Sequence, residues 1–251
     1  MGVKIITYSN DDPYSRENKS YKSMFLWRLF LKSLKFSDFH FVYRPLNIIE
    51  SQKYTTAPVN LLLPYFIPNL IDSICIQEND TTLFSNDIIF IGHYEDDKRA
   101  EYLEAIYDQG YQIKLYGTGW GHAPQSLQRK TGEVQPLFEE KYYKALKLAK
   151  ICLAFFSKGN RDTFTRRCFE IPAADSLLLC ERTEFMQSIF VEDQEAVFFS
   201  SKKEMLDKIN WLLSNPSIRD NIVIAGKARV VSDGHDVLSR VQYFKQIITN
   251  N

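Results

Sequence analysis

The chain has 251 residues, with 31 Lys and Arg against 31 Asp and Glu, so its formal net charge is zero. About 45% of the residues are hydrophobic and 25% are charged, as in an ordinary globular protein. Zero net charge argues against a main role in binding nucleic acid or an anionic membrane face, since both need a basic surplus. No signal peptide or membrane-spanning apolar run is recognisable, so we expect a cytoplasmic protein without a transmembrane segment.

The four cysteines are far apart and form no CxxC pair. This spacing indicates neither a zinc site nor a redox motif. We therefore expect buried free thiols in a reducing compartment and no metal centre.

Short apolar runs alternate with amphipathic stretches along the chain. The first 80 residues predict three strands and one aromatic-rich helix, Tyr21–Leu34. From Asp87 onward several runs are apolar on both faces, which is typical of parallel strands covered by helices. The predicted strands are Val3–Tyr8, Phe39–Tyr43, Val59–Leu63, Asp87–Gly92, Gln112–Gly117, Ile151–Phe156, Leu177–Cys180 and Ala196–Phe199.

Helical patterns fill the intervals of the second half. Ser201 and Glu204 have the spacing of a capping box, and Pro216 stands where a further helix would begin. The other predicted helices are Lys98–Gln109, Phe138–Ala149, Ser201–Ser214 and Val237–Thr249. Repeated strand–helix–strand units predict an α/β fold with a doubly wound parallel sheet.

Composition shifts suggest three parts. We expect a first domain over residues 1–82, a second over residues 83–232, and a C-terminal helical segment over residues 233–251 that packs back on the first domain.

The most informative segment runs from residue 160 to residue 175 and follows a buried strand. Doubly wound folds bind ligands beyond the carboxyl ends of their strands. If a helix begins near Thr165, its N-terminal amides and the neighbouring arginines favour an anion such as a diphosphate, and a carboxylate one turn inside suits ribose hydroxyls. The alternative is a surface helix with solvated charges. The charged residues are Arg161, Asp162, Arg166, Arg167 and Glu170.

Two strand ends carry glycines. Gly92 and His93 end the first strand of the second domain. A glycine there lets a ligand or a loop approach the backbone closely, and His93 suits a phosphate or a sugar hydroxyl. The alternative is a plain strand-ending glycine. Gly117, Gly119 and Trp120 follow the next strand. They lack the third glycine of GxGxxG, so they indicate one wall of a nucleotide pocket more than an NAD site.

Further charged groups lie at other strand ends. Arg182 and Thr183 precede a helix, where they suit phosphate or, equally, simple capping. Between residues 139 and 167 there are eight basic and three acidic residues, a local surplus suited to an anionic ligand.

Several motifs occur in an order that resembles a known family. The segments are Asp87-Ile-Ile-Phe-Ile-Gly-His93, Arg99, Ile113-Lys-Leu-Tyr-Gly-Thr-Gly-Trp120, Arg167-Cys-Phe-Glu-Ile-Pro-Ala-Ala174, Leu179-Cys-Glu-Arg-Thr183 and Ala225-Gly-Lys-Ala-Arg229, with Ser9-Asn-Asp-Asp-Pro13 near the start. Together they resemble the spore-maturation CgeB-like group of glycosyltransferases, GT-B enzymes with a group-1 type C-terminal domain. The resemblance covers most of residues 87–245 and, thinly, residues 9–70.

The resemblance implies metal-independent sugar transfer from a nucleotide-sugar donor, UDP- or GDP-linked, to a carbohydrate or protein acceptor, with retained configuration. In its acid–x7–acid pair, Asp162 would lie near the sugar and Glu170 would hold the ribose. Asp replaces the more usual Glu at the first position. Arg166 or Arg167 would neutralise the departing diphosphate. The remaining donor-side residues implied are Gly92, His93, Arg99, Gly117, Gly119, Trp120, Arg182 and Thr183.

The first domain departs from this family. It is about half of a usual GT-B acceptor lobe, so we expect either a truncation or an acceptor site that is reduced or supplied by a partner, a second copy included. A catalytic base, if present, would be Asp11 or Asp12. A non-catalytic nucleotide-binding or assembly module stays as the alternative, and an NAD-dependent enzyme is a weaker one.

Overall fold

The computed structural model describes residues 3–15 and 20–250. Contacts divide the chain into two compact units, each discontinuous in sequence. Unit 1 comprises Met1–Tyr65, Phe156–Thr163 and Val237–Asn251, and unit 2 comprises Phe66–Phe155 and Phe164–Asp236. Of the predicted first domain and C-terminal segment, residues 1–2, 16–19 and 251 lie outside the described residues.

All eight predicted strands are present, with ends shifted by a few residues. They are β1 (Ile6–Ser9), β2 (Phe39–Val42), β3 (Val59–Leu61), β4 (Asn86–Ile91), β5 (Ile113–Tyr116), β6 (Ala149–Ala154), β7 (Leu178–Glu181) and β8 (Val197–Phe199). The α-helices are α1 (Tyr21–Ser33), α2 (Pro45–Ser51), α3 (Pro68–Asp72), α4 (Glu78–Phe84), α5 (Arg99–Asp108), α6 (Gln125–Thr131), α7 (Glu139–Leu148), α8 (Arg167–Ala173), α9 (Glu184–Ile189), α10 (Lys202–Ser214), α11 (Pro216–Ser232) and α12 (Val237–Thr249).

Unit 1 contains a parallel sheet in the order β1-β2-β3. Its central strand, β2, is buried along its whole length, as its run of apolar residues predicts. Helix α12 belongs to this unit, where the ring centroids of Phe244 and Phe41 are 4.9 Å apart.

Unit 2 contains a five-stranded parallel sheet in the order β5-β4-β6-β7-β8. From β4 the chain first adds β5 on one side of β4 and then crosses to add β6 on its other side. The strand order therefore reverses between β4 and β6. Ligands of such sheets bind beyond the carboxyl ends of the strands at this reversal. The segments that follow β4, β5 and β6 are therefore where a site is expected.

Contacts place some segments differently from the expected domain boundaries. Residues 66–82 belong to unit 2, because α4 packs on α7 and the Asp80 carboxylate pairs with Lys144 at 2.8 Å. The polar residues 78–82 lie within helix α4. Helix α8 begins at Arg167, two residues after the predicted start.

Two other expectations need correction. Cys152, Cys168 and Cys180 are buried free thiols, but Cys75 is exposed. In α10, the Ser201 hydroxyl accepts the Glu204 amide as predicted, whereas the Glu204 carboxylate accepts from the Ser200 amide, so the capping box is not reciprocal. In the described part of the chain, no helix is long and apolar enough to cross a bilayer.

Candidate functional site

The centre of the candidate site in unit 2 is the carboxylate of Glu170, in the first turn of α8. It accepts hydrogen bonds from the hydroxyls of Tyr142 at 2.9 Å and Tyr143 at 3.1 Å, both on α7. Arg166 Nε lies 2.9 Å from the same carboxylate. The Glu170 side chain is 7% exposed, so these three donors replace most of its hydration.

Glu170 lies at the wall of a groove of about 420 Å³ in unit 2. This volume falls in the range of small-molecule sites. The Arg167 Nε and the Thr165 hydroxyl are buried there, with no hydrogen-bond partner among the described residues. A buried guanidinium nitrogen without an acceptor is suited to an anionic ligand. The groove is lined by Leu70, Leu137, Phe138, Glu139, Tyr142, Tyr143, Thr165, Arg166, Arg167 and Glu170.

The two tyrosines are hydrogen-bond donors throughout the physiological pH range. Burial and the neighbouring Glu170 carboxylate raise the pKa of Tyr142 and of Tyr143 well above the ordinary phenol value. Each phenol therefore stays protonated and holds the carboxylate in place.

The turns after β4 and β5 are packed backbone against backbone. The Gly92 amide donates to the Tyr116 carbonyl and the Tyr94 amide to the Thr118 carbonyl, both at 2.8 Å. Gly117 has φ of +138°, and a Cβ there would lie 1.9 Å from the Gly92 carbonyl oxygen. Gly92 and Gly117 thus bring two strand ends together, which no larger residue at 117 would allow.

Trp120 lies under this pair of turns. Its indole is 5% exposed and packs edge-on against Phe90, so it belongs to the core of unit 2. Trp120 supports the turns. It does not line an open pocket, contrary to the expectation that it would form part of a pocket wall. Gly119, with φ of +78°, provides the left-handed residue from which the short 3-10 turn Trp120–His122 starts.

His93 and Arg99 occupy the loop between β4 and α5. The His93 side chain is 60% exposed and lies 3.0 Å from Glu95. Arg99 is only 2% exposed, and its guanidinium binds Asp97 with two hydrogen bonds of 2.8 Å and the His93 carbonyl at 2.9 Å. The expected direct ligand contact of Arg99 does not fit this burial. Arg99 orders the loop that presents His93.

Arg182 and Thr183 have structural partners in unit 2. The Arg182 guanidinium pairs with both Glu192 and Glu204, which raises its pKa further above the ordinary arginine value. The Thr183 hydroxyl accepts from the Met186 amide at 3.1 Å and caps α9. The capping interpretation, left open by the sequence, describes the Thr183 contact.

Asp162 lies in the part of the chain that belongs to unit 1. Its carboxylate accepts from Arg44 Nε at 2.6 Å, and Arg44 Nη2 lies 2.5 Å from the same oxygen. Arg44 is 4% exposed, so this is a largely desolvated ion pair. Nothing in the sequence relates two residues that are 118 positions apart.

Asp12, the expected base, is fully buried in unit 1. It accepts from Arg161 Nε at 2.6 Å and from the amides of Tyr14 and Ser15. Burial raises its pKa, but the hydrogen bond from Arg161 and those from the two amides outweigh burial, so the pKa is lowered. Arg161 also binds Glu50 at 2.8 Å. A carboxylate with a lowered pKa and this many donors is suited to holding the unit together, not to taking up a proton.

The predicted basic surplus of residues 139–167 is partly paired. Lys144 pairs with Asp80 and Glu140, and Lys150 with Asp87. Arg161 pairs in unit 1 as described. The positive groups of this segment in the Glu170 groove are therefore Arg166 and Arg167. In the described part of the chain, no three His, Cys, Asp or Glu side chains form a cluster that would hold a metal ion.

Several neighbours of the candidate site and of the unit 1 ion pairs were not predicted from the sequence. Tyr142 and Tyr143 lie within the predicted helix Phe138–Ala149 but were not singled out, although two adjacent tyrosines at a helix start are an available signal. Arg44 and Glu50 carried no signal, because their partners are more than a hundred residues away.

The fold matches solved structures over nearly the whole chain. Alr3699/HepE of Anabaena, in complex with UDP-glucose, superposes with a TM-score of 0.73 at 13% identity over 99% of this chain and 72% of that one. Sucrose-phosphate synthase of Thermosynechococcus elongatus superposes with a TM-score of 0.67 at 13% identity, over 95% of this chain and 65% of that one. A glycosyltransferase of Rickettsia africae superposes with a TM-score of 0.66 at 12% identity, over 96% of this chain and 69% of that one.

These likenesses define the fold as GT-B, confirming the predicted α/β class. The chain spans about two thirds of the length of these structures. The profile of a family described as glycosyl transferase-like matches residues 98–246, more than half of the chain, and the chain belongs to that family. No curated protein matches its sequence.

Proposed function

We propose that the chain binds a nucleotide sugar in unit 2 and transfers the sugar to a carbohydrate or protein acceptor. The observation that carries this proposal is the Glu170 groove, where a held carboxylate stands beside two arginines in a glycosyl transferase-like chain. Two of the solved Alr3699/HepE structures contain UDP-glucose or UDP and glucose, which favours a UDP-linked donor, with GDP as the other candidate.

Glu170 is the proposed ribose ligand. A carboxylate accepts about four hydrogen bonds. Tyr142, Tyr143 and Arg166 use three, with only Tyr142 on Oε2. Oε2 therefore keeps capacity for a ribose hydroxyl. The exposed ring of Phe138 at the groove offers a face on which the base can stack.

Arg166 and Arg167 are the proposed diphosphate ligands. Arg166 is 48% exposed on its side chain and can reach outward from Glu170, and the buried Arg167 Nε needs an acceptor. Charge builds on the diphosphate as the sugar bond breaks, so fixed guanidinium groups stabilise the transition state more than the ground state. His93, which is exposed, remains a proposed donor contact at a neighbouring strand end.

We propose further that transfer proceeds without a tightly bound metal and with retained configuration. Both proposals rest on the resemblance to the CgeB-like group, a narrower assignment than the family to which the chain belongs.

A second candidate is a nucleotide-sugar-binding module without catalysis. The observation in its favour is that Asp12 and Asp162, two of the three acids considered for catalysis, are held in ion pairs of unit 1. A chain whose candidate catalytic acids are held in ion pairs would bind the donor without transferring the sugar.

Thermal unfolding with UDP, GDP, UDP-glucose and GDP-mannose tests donor binding. A ligand at a hundred times its dissociation constant stabilises the native state by about 2.7 kcal/mol, which is about 5–10 °C for a chain of this size. Absence of a response to every nucleotide overturns both candidates. Release of free nucleotide and labelled product in an acceptor screen separates transfer from binding alone.

The variant Glu170→Gln locates the site. Loss of one charged hydrogen bond to the ribose weakens nucleotide binding by roughly tenfold or more, measured by isothermal titration calorimetry. Glu140→Gln is the matched control. Glu140 lies on the neighbouring helix α7, its side chain is 61% exposed, and it does not line the groove. Equal affinities of the two variants would place the nucleotide elsewhere.

A further inference from the structure

Helix α1 and the turn that follows it expose a large apolar surface. Tyr21, Phe25 and Leu29 are spaced by four residues and so share one helix face. Single exposed apolar residues are common, but a contiguous group of them marks an interaction site. The exposed fractions are 92% for Tyr21, 61% for Phe25, 55% for Leu26, 49% for Leu29 and 65% for Phe36.

The same segment is strongly basic. Lys22, Arg28, Lys32 and Lys35 are all exposed, and the sequence has no Asp or Glu between Ser20 and Ser37. We call these four cations and the five exposed apolar residues the α1 face. The overall neutrality of the chain thus conceals a segment with four positive charges and no negative one.

A groove of about 670 Å³ lies at the end of the α1 face. Lys32, Lys35 and Lys53 line it together with the rings of Phe36 and Tyr54, and no acidic residue lines it. Three ammonium groups around an aromatic-walled groove are suited to a phosphate group attached to an apolar body.

We propose that the α1 face binds the surface of an anionic lipid bilayer. Aromatic and leucine side chains mixed with cations are the pattern of helices that lie in the membrane interface, with apolar groups at the acyl boundary and lysines at the headgroups. Charge complementarity selects this occupant over a second copy of the chain, because two α1 faces would bring eight cations together. This binding is independent of the proposed donor site in unit 2.

Vesicle co-sedimentation of the full chain tests the proposal, with phosphatidylcholine vesicles that contain or lack phosphatidylglycerol. The protein sediments with the anionic vesicles only, and sedimentation falls steeply between about 0.1 M and about 1 M NaCl, as the Debye length shrinks from about 10 to about 3 Å. Equal sedimentation with both vesicles, or none with either, overturns the proposal.

Two pairs of substitutions assign the contact. Each basic residue near an anionic surface contributes about fivefold in affinity, so Lys32→Glu with Lys35→Glu weakens binding by about 25-fold or more. Phe25→Ser with Leu29→Ser removes the apolar part and abolishes sedimentation. Both pairs are exposed, so thermal unfolding of the variants stays that of the parent.

Matched controls lie on unit 2. Lys114→Glu with Lys203→Glu changes the charge equally, and Leu83→Ser with Ile224→Ser removes apolar groups that are at least as exposed. Controls that weaken binding as much as the α1 variants overturn the assignment. Size-exclusion chromatography tests the alternative occupant. If the parent elutes as a dimer and the Phe25→Ser/Leu29→Ser variant as a monomer, the α1 face binds a second copy and the membrane proposal is overturned.

Discussion

The indole nitrogen of Trp120 donates a hydrogen bond of 2.9 Å to the carbonyl oxygen of Gly92. This bond joins the end of β4 to the turn after β5, at the carboxyl edge of the unit 2 sheet. It satisfies a buried carbonyl that lies directly against Gly117. Two of the residues expected to line a pocket therefore act together as the support of a turn.

Replacing Trp120 with Phe tests that support. The ring contact with Phe90 is retained in part, but the Gly92 carbonyl loses its buried donor, which costs about 1–3 kcal/mol. Urea unfolding measures this loss. Trp211→Phe, at a partly buried tryptophan of the same unit, is the comparison and has a smaller effect.

Gly117→Ala should destabilise unit 2 strongly. The new methyl group would lie 1.9 Å from the Gly92 oxygen, and φ of +138° is strained for any other residue. Overpacking and backbone strain together cost about 2–5 kcal/mol. Gly121→Ala is the control, because a Cβ there meets nothing within 4 Å. Similar unfolding midpoints for the two variants would refute the close approach.

Asp12→Asn separates a structural role from catalysis. The substitution removes the main partner of Arg161, which keeps Glu50, so the free energy of unfolding falls by about 2–3 kcal/mol. Nucleotide binding by unit 2 is retained. The adjacent, exposed Asp11 provides the control variant Asp11→Asn. Normal stability with loss of glycosyl transfer would instead identify Asp12 as a base.

His40 makes unit 1 sensitive to acid. Burial lowers its pKa from 6.5 to about 4, and its ring lies 2.9 Å from the Thr7 hydroxyl. Because the folded state holds the neutral ring, stability is complete above pH 6.5 and declines as the pH falls towards 4, by up to about 3 kcal/mol.

Urea unfolding at pH 7 and near pH 4 measures this decline. The variant His40→Gln loses less stability on acidification than the parent. His122→Gln, at an exposed position in the turn after β5, is the control variant. An identical decline in the parent and in His40→Gln would assign the acid sensitivity to other groups.

Elements with a long or fully apolar pattern were predictable from the sequence. Strands such as β4 and β6 are buried on both faces, and helices α10 and α12 repeat apolar residues over several turns, so each carries its own signal. Helices α2, α3, α4 and α6 have seven residues or fewer, which is too short for a period to stand out.

The candidate site was predictable in position but less so in role. From the carboxyl ends of parallel strands we predict Gly92, Gly117 and Glu170 as neighbours of a site, and of these Glu170 lines the described groove. What each side chain does depends on distant partners. Arg182 has the residue type of a phosphate ligand, but Glu192 and Glu204 neutralise it, and that is decided by packing.

The pair of Asp12 and Arg161 has a consequence for how the chain is made. The two residues are 149 positions apart. At about 5–20 residues per second, a ribosome adds Arg161 to the chain about 7–30 s after Asp12. During that interval the carboxylate lacks its guanidinium, and the third segment of unit 1, α12, is synthesised later still. Unit 1 therefore completes its fold only after α12 has been synthesised, although its sheet precedes unit 2 in the sequence.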